Sequence, residues 1–305
     1  MITLLGPTAT GKTHLAVRLA EAINGQIISA DSRQVYRGMN LGTGKDLEEY
    51  RINGKIIIQH LIDIADPGYE YSVFKFARDF RTAGQKIQAA GFIPVLCGGT
   101  GLYLDAILRG YQLSEAKPDN SFRRELENKT DQELIEMLTG MRNLHNSTDS
   151  SDRKRLIRAI EIASLYRDPN TTLDGPGINS LVFGLRWERS VLRQRITARL
   201  HQRLDLGMVE EVQNLISGGI EPETLMFYGL EYKYLTLYAT GKLGFDEMFA
   251  QLNTGIHQFA KRQMTWFRRM ERNGIRINWL EGEDGEEQNF NRMLEMCKKA
   301  GISSK

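Results

Sequence analysis

Cysteine is nearly missing from this 305-residue chain, which holds only Cys97 and Cys297. Two thiols make no disulfide framework, and their scarcity fits a reducing compartment. Cys97 sits in the apolar run FIPVLC and reads as a small buried hydrophobe. Long apolar runs are missing too: none approaches the ~20 residues that a membrane-spanning helix needs. The apolar stretch in MITLLGPTATGKT is too short for a secretory signal and leads straight into a glycine-rich loop. These absences predict a cytoplasmic protein with no membrane partner. An excess of charge is also lacking, since 40 basic and 38 acidic residues leave a formal net charge of +2, so overall charge selects no partner. The five histidines (His14, His60, His145, His201 and His257) show no metal-ligand spacing, and no internal repeat is present. The acidic stretch GEDGEE reads as a solvated turn. What remains, 41% hydrophobic and 26% charged residues, is enough for a sizeable core, and the length suits about two domains.

Short apolar runs alternate with amphipathic stretches through the first third. ITLL (2–5), QIISA (26–30), KIIIQHLI (55–62) and FIPVLC (92–97) read as strands. Leu15, Leu19 and Ile23, spaced i, i+4, i+8, predict one helix, and 73–90 predicts another. Such alternation implies an α/β fold: a parallel-sheet core with helices on both faces, binding ligands at the carboxyl ends of its strands. From residue 111 to 177 the strand-like runs vanish. RRELENK, DQELIEMLTGM and DRKRLIRAIEIASLYR predict a helical insertion domain, closed by the loop DPNTTLDGPGIN. The expected organisation is core residues 1–110, insertion 111–177, and a second core part 178–305. In that last part LVFGLRW reads as a returning strand and the remainder as long helices, including VLRQRITARLHQRLDLGMVEEVQNLI.

The strongest chemical signal is Gly6, Pro7, Thr8, Ala9, Thr10, Gly11, Lys12 and Thr13, a complete G-x-x-x-x-G-K-T (P-loop) pattern between a strand and a helix. Its glycines let backbone N–H groups face a phosphate chain, the helix N-terminus and Lys12 add positive potential, and the Thr13 hydroxyl can ligate Mg²⁺. The pattern requires a diphosphate or triphosphate; it does not select ATP. Asp31, in DSRQVY, follows the second strand, where a carboxylate would lie beside that pocket as a base, as a metal-supporting group or as a helix cap. GGTGLY (98–103) follows the fourth strand, with Thr100 as a candidate helix cap. No acidic residue ends that strand, and Asp63 is the one strand-end alternative for a nucleotide-hydrolysing carboxylate. Six basic residues fall between Lys261 and Arg276. On a helix, Lys261, Thr265, Arg268 and Arg272 form one stripe, while Ala260, Met264 and Phe267 form a separate apolar face. That stripe suits nucleic-acid phosphates or, alternatively, a solvated face. The basic cluster Arg153, Lys154, Arg155 and Arg158 carries the same two readings.

GPTATGKT, DSRQVYRGMNLGTGK, GGTGLYL and KRQMTWFRR, in that order along nearly the whole chain, resemble the tRNA dimethylallyltransferase family. The resemblance implies transfer of a dimethylallyl group from its diphosphate to the exocyclic amine of the adenosine next to the anticodon. It implies that Gly6 to Thr13 hold the donor's diphosphate with Arg199, that Mg²⁺ sits at Thr13, and that Asp31 is the general base, with Lys12 and Arg199 also catalytic. tRNA contacts are implied for Asp31, Ser32, Arg33, Gln34 and Thr100, for Lys154, Arg155, Leu156, Ile157 and Arg158, and for Lys261, Arg262, Gln263, Thr265, Trp266 and Arg268. The insertion would clasp the anticodon stem, and the enzyme would act as a monomer. Two departures stand out. The family's GTAKP reads GTGKD here, and a family glycine before tyrosine and a basic residue becomes Glu231, followed by Tyr232 and Lys233. The glycine's loss removes backbone freedom and adds a negative charge where tRNA contacts are expected. The competing readings are a P-loop small-molecule kinase, a prenyltransferase acting on free adenine nucleotide, and a non-enzymatic tRNA-binding protein. The last conflicts with intact Lys12, Thr13 and Asp31.

Overall fold

The structure, a computed structural model, describes residues 1–113, 119–141, 153–164, 175 and 177–302. It has two compact units, Met1–Arg109 with Gly177–Lys305, and Gly110–Pro176. Eight strands occur among the described residues: β1 (Ile2–Leu5), β2 (Gly25–Ser29), β3 (Arg51–Ile52), β4 (Lys55–Ile56), β5 (Gln59–His60), β6 (Ile93–Gly98), β7 (Leu181–Arg186) and β8 (Ile277–Glu281). Six of them form one sheet, in the order β5-β2-β6-β1-β7-β8, with every pairing parallel. β1 and β2 are buried along their whole length, which is why their sequences do not alternate apolar with polar residues. Helices α1 (Lys12–Ala22) and α2 (Val73–Ala89) make the crossovers. From β1 the chain passes over to β2; from the adjacent β6 it goes on to β7, on the opposite side of β1. This reversal opens a crevice at the carboxyl ends of β1 and β6. Leu4, Leu15, Leu19, Ile27, Val95, Cys97 and Phe183 share the main core. Burial pushes the Cys97 thiol up to about 12, in keeping with a small apolar filler.

Four expectations need correction. KIIIQHLI is not one strand: Lys55–Ile56 folds back antiparallel on Arg51–Ile52 through Asn53 and Gly54, both at positive φ, and only Gln59–His60 joins the sheet. Asn-Gly is the dipeptide that favours such a two-residue turn. The long helix expected from VLRQR to QNLI breaks at Gly207 (φ 95°) into α7 (Arg189–Asp205) and α8 (Met208–Ser217). The C-terminal part is not only helical, because after Gly274 (φ 92°) the run INWLE forms the edge strand β8. GEDGEE is not merely a solvated turn: Glu286 and Glu287 bind Arg18 at 2.7 Å each, and the Glu283 carboxylate accepts from the Glu188 N–H at 2.7 Å.

The remaining helices of this unit are α3 (Gly101–Leu108), α9 (Pro222–Leu225), α10 (Leu230–Ala239), α11 (Phe245–Arg272) and α12 (Glu286–Lys299). No helix among the described residues is long and apolar enough to cross a membrane.

The second unit packs α4 (Asn120–Glu127), α5 (Asp131–Met141) and α6 (Arg153–Ser164) around Leu126, Leu134, Leu138, Leu156 and Ile160. Glu161 is only 4% exposed; it accepts from Arg123 at 2.8 and 2.9 Å, from Arg158 at 3.1 Å and from the Asp119 N–H at 3.1 Å. Burial alone would push this carboxyl up, but the Arg123 and Arg158 hydrogen bonds outweigh it and hold it below its usual value. Losing one partner of a fully buried pair costs about 3–5 kcal/mol. Because both arginines are about one third exposed, Glu161→Gln is expected to cost ~1–3 kcal/mol. Amide hydrogen exchange in α6 would report it. The stabilisation is complete above the unfolded carboxyl value of about 4.3 and is lost as pH falls through the lower folded value. Wild-type and variant exchange should therefore converge in acid.

Candidate active site at the strand crevice

Residues 6–13 cross from β1 into α1 with Ala9 (φ 62°) and Gly11 (φ 88°) in the left-handed region. Three of the loop's carbonyls meet side-chain donors. Thr10 Oγ1 donates to the Pro7 carbonyl at 2.9 Å, Lys12 Nζ to the same oxygen at 3.3 Å, and Trp187 Nε1 to the Thr10 carbonyl at 3.0 Å. Arg195 Nε donates to the Ala9 carbonyl at 2.9 Å, with its guanidinium stacked 4.2 Å from the Trp187 ring centre. The Thr8 N–H donates to Gln263 Oε1 at 3.0 Å. Burial pushes Lys12 below its usual value; Arg199 lowers it further, while Cys97 and Asp31 pull it back. An anion bound here would favour the charged form. The Thr13 side chain, partly exposed in the first turn of α1, makes no hydrogen bond among the described residues. Its oxygen therefore suits a hard cation that takes its other ligands from phosphate oxygens and water.

On the neighbouring strands the backbones nearly touch. A Cβ on Gly98 would lie 2.3 Å from the Ala30 carbonyl, so only glycine permits this approach. Asp31 follows directly. No helix begins there; its Oδ1 accepts from the Arg33 N–H at 3.0 Å in a local turn, and Oδ2 has no hydrogen bond among the described residues. The helix-cap reading of Asp31 is thereby replaced. Thr100 precedes α3 without capping it, and its Oγ1 instead accepts from the Ser32 N–H at 3.0 Å. Gln263 Nε2 donates to the Gly99 carbonyl at 2.9 Å, tying this turn to the P-loop.

Sequence reasoning found Arg199 on α7 but missed Arg195 and Arg203. Arg195, Arg199 and Arg203 are spaced i, i+4, i+8 along one face, and Arg199 and Arg203 line a cavity of about 20 Å³ together with Thr8 and Ala9. The signal was the arginine period itself, hidden because only Arg199 had a motif counterpart. Asp46 accepts from Arg199 at 2.6 Å and from Arg203 at 3.2 Å. Glu49, nearby, is pushed up by burial and by the Asp46 charge. Asp63 is engaged by the buried Lys45 Nζ, which also donates to the Tyr36 carbonyl at 2.6 Å.

Several residues expected to contact tRNA are occupied elsewhere. Gln34 accepts from Ser29 Oγ at 3.0 Å and donates to the Gly44 carbonyl at 3.1 Å, and both ends of the buried Gln263 amide are taken. Leu156 and Ile157 lie in the core of the second unit because the apolar face of α6 points inward. Arg33 is half-buried and ion-paired with Glu231 at 3.0 Å, so the charge introduced at Glu231 has a partner. Lys154 is exposed, Arg158 binds Glu161, and the Arg155 side chain lies outside the described residues. Along α11, Lys261, Arg262, Thr265, Arg268 and Arg272 are exposed, whereas Ala260 and Phe267 are buried. Trp266 is half-buried against Gly101, with Arg269 5.3 Å from its ring centre.

The family model described as IPP transferase matches residues 34–270, and one described as isopentenyl transferase matches residues 1–55. A protein of Bacteroides fragilis named tRNA dimethylallyltransferase 2 is 54% identical over 98% of this chain and 98% of that relative. One of Parabacteroides distasonis, named tRNA dimethylallyltransferase 1, is 50% identical over 92% of each. Among solved structures, the tRNA isopentenylpyrophosphate transferase of Bacillus halodurans has 32% identity and a TM-score of 0.69, covering 98% of this chain and 96% of the other. A eukaryotic dimethylallyltransferase acting on tRNA shares the fold at 21% identity, with a TM-score of 0.76, covering 100% of this chain and 80% of that one.

Replacing Gln263 by Leu keeps its bulk but strips the Thr8 N–H and the Gly99 carbonyl of their partners. Each buried orphan costs about 1–3 kcal/mol. The expected outcome is a lower melting temperature and, more specifically, weaker binding of inorganic diphosphate by calorimetry. A variant with undiminished diphosphate affinity would show that the loop keeps its shape without this tie.

Proposed function

The chain belongs to the tRNA dimethylallyltransferase family, and we propose that it moves a dimethylallyl group from dimethylallyl diphosphate to the exocyclic amine of the tRNA adenosine next to the anticodon. The observation that carries this reading is the meeting of the P-loop, the glycine turn after β6 and the Asp31 turn at one crevice, with Gln263 tying the first two and Thr100 the last two.

The loop, Lys12 and Arg199 hold the donor's diphosphate. The adenine amine is a poor nucleophile because its lone pair is delocalised into the ring, so a placed base helps. Its nitrogen attacks the allylic carbon as the carbon–oxygen bond breaks and the bonding electron pair leaves on the diphosphate oxygen. The amine proton passes to Asp31, whose Oδ2 is free of protein hydrogen bonds among the described residues. Lys12, Arg199 and the loop amides stabilise the charge that grows on the departing diphosphate. Mg²⁺, held by the Thr13 hydroxyl and phosphate oxygens, would add positive charge there. The target base must leave its stack, at a cost of a few kcal/mol that is smaller in a loop than in a duplex.

The exposed stripe Lys261, Thr265, Arg268 and Arg272 supports a tRNA backbone contact, as do Lys154 and the half-buried Trp266, and the second unit is placed on the anticodon stem. Ser32, Arg33 and Thr100 shape the acceptor pocket, with Arg33 tethered by Glu231. The enzyme is placed in the cytoplasm and works as a monomer. A kinase reading is disfavoured because Gly98 ends β6 without a carboxylate and Asp63 is bound to Lys45.

Asp31→Asn removes most of the basicity at constant shape. Loss of a general base costs ~10²–10⁴ in rate, so single-turnover prenyl transfer should collapse while tRNA and donor dissociation constants change only a few-fold. Near wild-type transfer would remove Asp31 from the chemistry, and stabilisation by ATP but not by the prenyl donor would favour the kinase. For the basic helix, Arg268→Ala should weaken tRNA binding and flatten its salt dependence by ~0.7–0.9 in the logarithmic slope. An unchanged slope would return the stripe to a solvated face.

A further inference from the structure

Asp46 stands where the family pattern has proline, and it is the carboxylate that joins two of the three arginines on the loop-facing side of α7. Its Oδ2 accepts from Arg199 at 2.6 Å and from Arg203 at 3.2 Å, while Oδ1 lies 3.4 Å from Arg203. The two arginines are not held alike. Arg203 is 11% exposed and wedged against Gly44, where an added Cβ would meet its guanidinium at 2.5 Å. Arg199 is 30% exposed, has Asp46 as its one hydrogen-bonding partner among the described residues, and lines the small cavity it shares with Thr8 and Ala9 of the P-loop. Carboxylate and phosphate oxygens are interchangeable partners for a guanidinium. A diphosphate in the loop and Asp46 therefore call on the same donor group.

We propose that Asp46 competes with the diphosphate for Arg199 and so sets how readily the diphosphate product leaves. Without a diphosphate, Asp46 holds the Arg199 guanidinium at the cavity beside Thr8 and Ala9, anchored through Arg203. When a diphosphate enters, the Arg199 N–H groups turn to its oxygens and Asp46 keeps Arg203 alone. When the prenyl group has left for the acceptor, the diphosphate is more highly charged and would hold Arg199 harder. The waiting carboxylate offers the arginine an alternative partner and lowers the barrier to release. Asp46 is on this account a positioning residue, touching no reacting atom.

This inference rests on the P-loop being a diphosphate site, and its test separates the two. Binding of inorganic diphosphate in the presence of magnesium is measured by calorimetry for the wild type, Asp46→Asn, Arg199→Ala and the double variant. If the wild type does not bind diphosphate, the reading of the loop fails before Asp46 is reached. If it does, Asp46→Asn is expected to bind diphosphate about tenfold more tightly, because one competing charge has gone; Asn remains a weak acceptor and keeps the side-chain shape. Steady-state turnover should then fall more than the single-turnover rate, with product release limiting. In the Arg199→Ala background the same substitution should make little difference, giving a coupling of about 1.4 kcal/mol for a tenfold effect. Unchanged or weaker diphosphate binding in a folded Asp46→Asn protein would overturn the proposal, as would an equal gain with and without Arg199.

Discussion

A phosphate-binding loop has to leave its inner surface free for the ligand, and this requires that the backbone groups on its outer side find partners elsewhere. Eight residues with two left-handed backbone positions cannot supply them alone. In this protein the Ala9 and Thr10 carbonyls are served by Arg195 and Trp187 and the Thr8 N–H by Gln263. Helix α7 and helix α11 are thus fixed relative to the loop by the polar accounting of its backbone. Once α7 is held this way, Arg199 and Arg203 follow at one and two turns. Once α11 is held by Gln263, its exposed basic stripe takes a definite direction from the same crevice.

The loop, the Asp31 turn and the glycines after β6 were legible in the sequence because each is local: a few consecutive residues determine a backbone shape with one chemical use. The expected fold class was legible for a similar reason, since buried parallel strands leave continuous apolar runs. What could not be read was whatever depends on residues distant in the chain. Thr8 and Gln263 are separated by 255 positions, and nothing in KRQMTWFRR distinguishes an amide that faces tRNA from one that faces a loop carbonyl. The edge strand β8 was hidden behind a basic helix, and its start depends on Gly274 ending that helix. Gln34, Leu156 and Ile157 show how single residues within a motif can serve the fold.

Charge in the crevice follows from the same arrangement. Lys12, Arg195, Arg199 and Arg203 meet Asp31, Asp46 and Glu49, so four cations face three carboxyls within one region of the larger unit. Burial disfavours the charges of Lys12, Arg195, Arg203, Asp46 and Glu49 in isolation. Mutual pairing offsets the cost only in part, which is why Lys12 is pushed down and Glu49 up while Asp46, between two arginines, is held low. One cation more than carboxyls leaves a positive potential here that an added anion would neutralise.

Glu231 illustrates the same principle beside the Asp31 turn. A charge at the start of α10 could have repelled the tRNA backbone, but Arg33 meets it at 3.0 Å and also lies 5.2 Å from the Phe259 ring centre. Glu231 occupies the first turn of α10, where a carboxylate is favoured by the helix dipole. Gly229, at φ 121°, gives way so closely to the Arg33 guanidinium that a Cβ would lie 2.2 Å from it. Glu231 adopts ordinary helical backbone that needs no glycine, and its carboxylate fixes Arg33, two residues after Asp31. The turn at Asp31 is in this way coupled to α10 through one ion pair, so a change at Glu231 reaches the Asp31 carboxylate through Arg33.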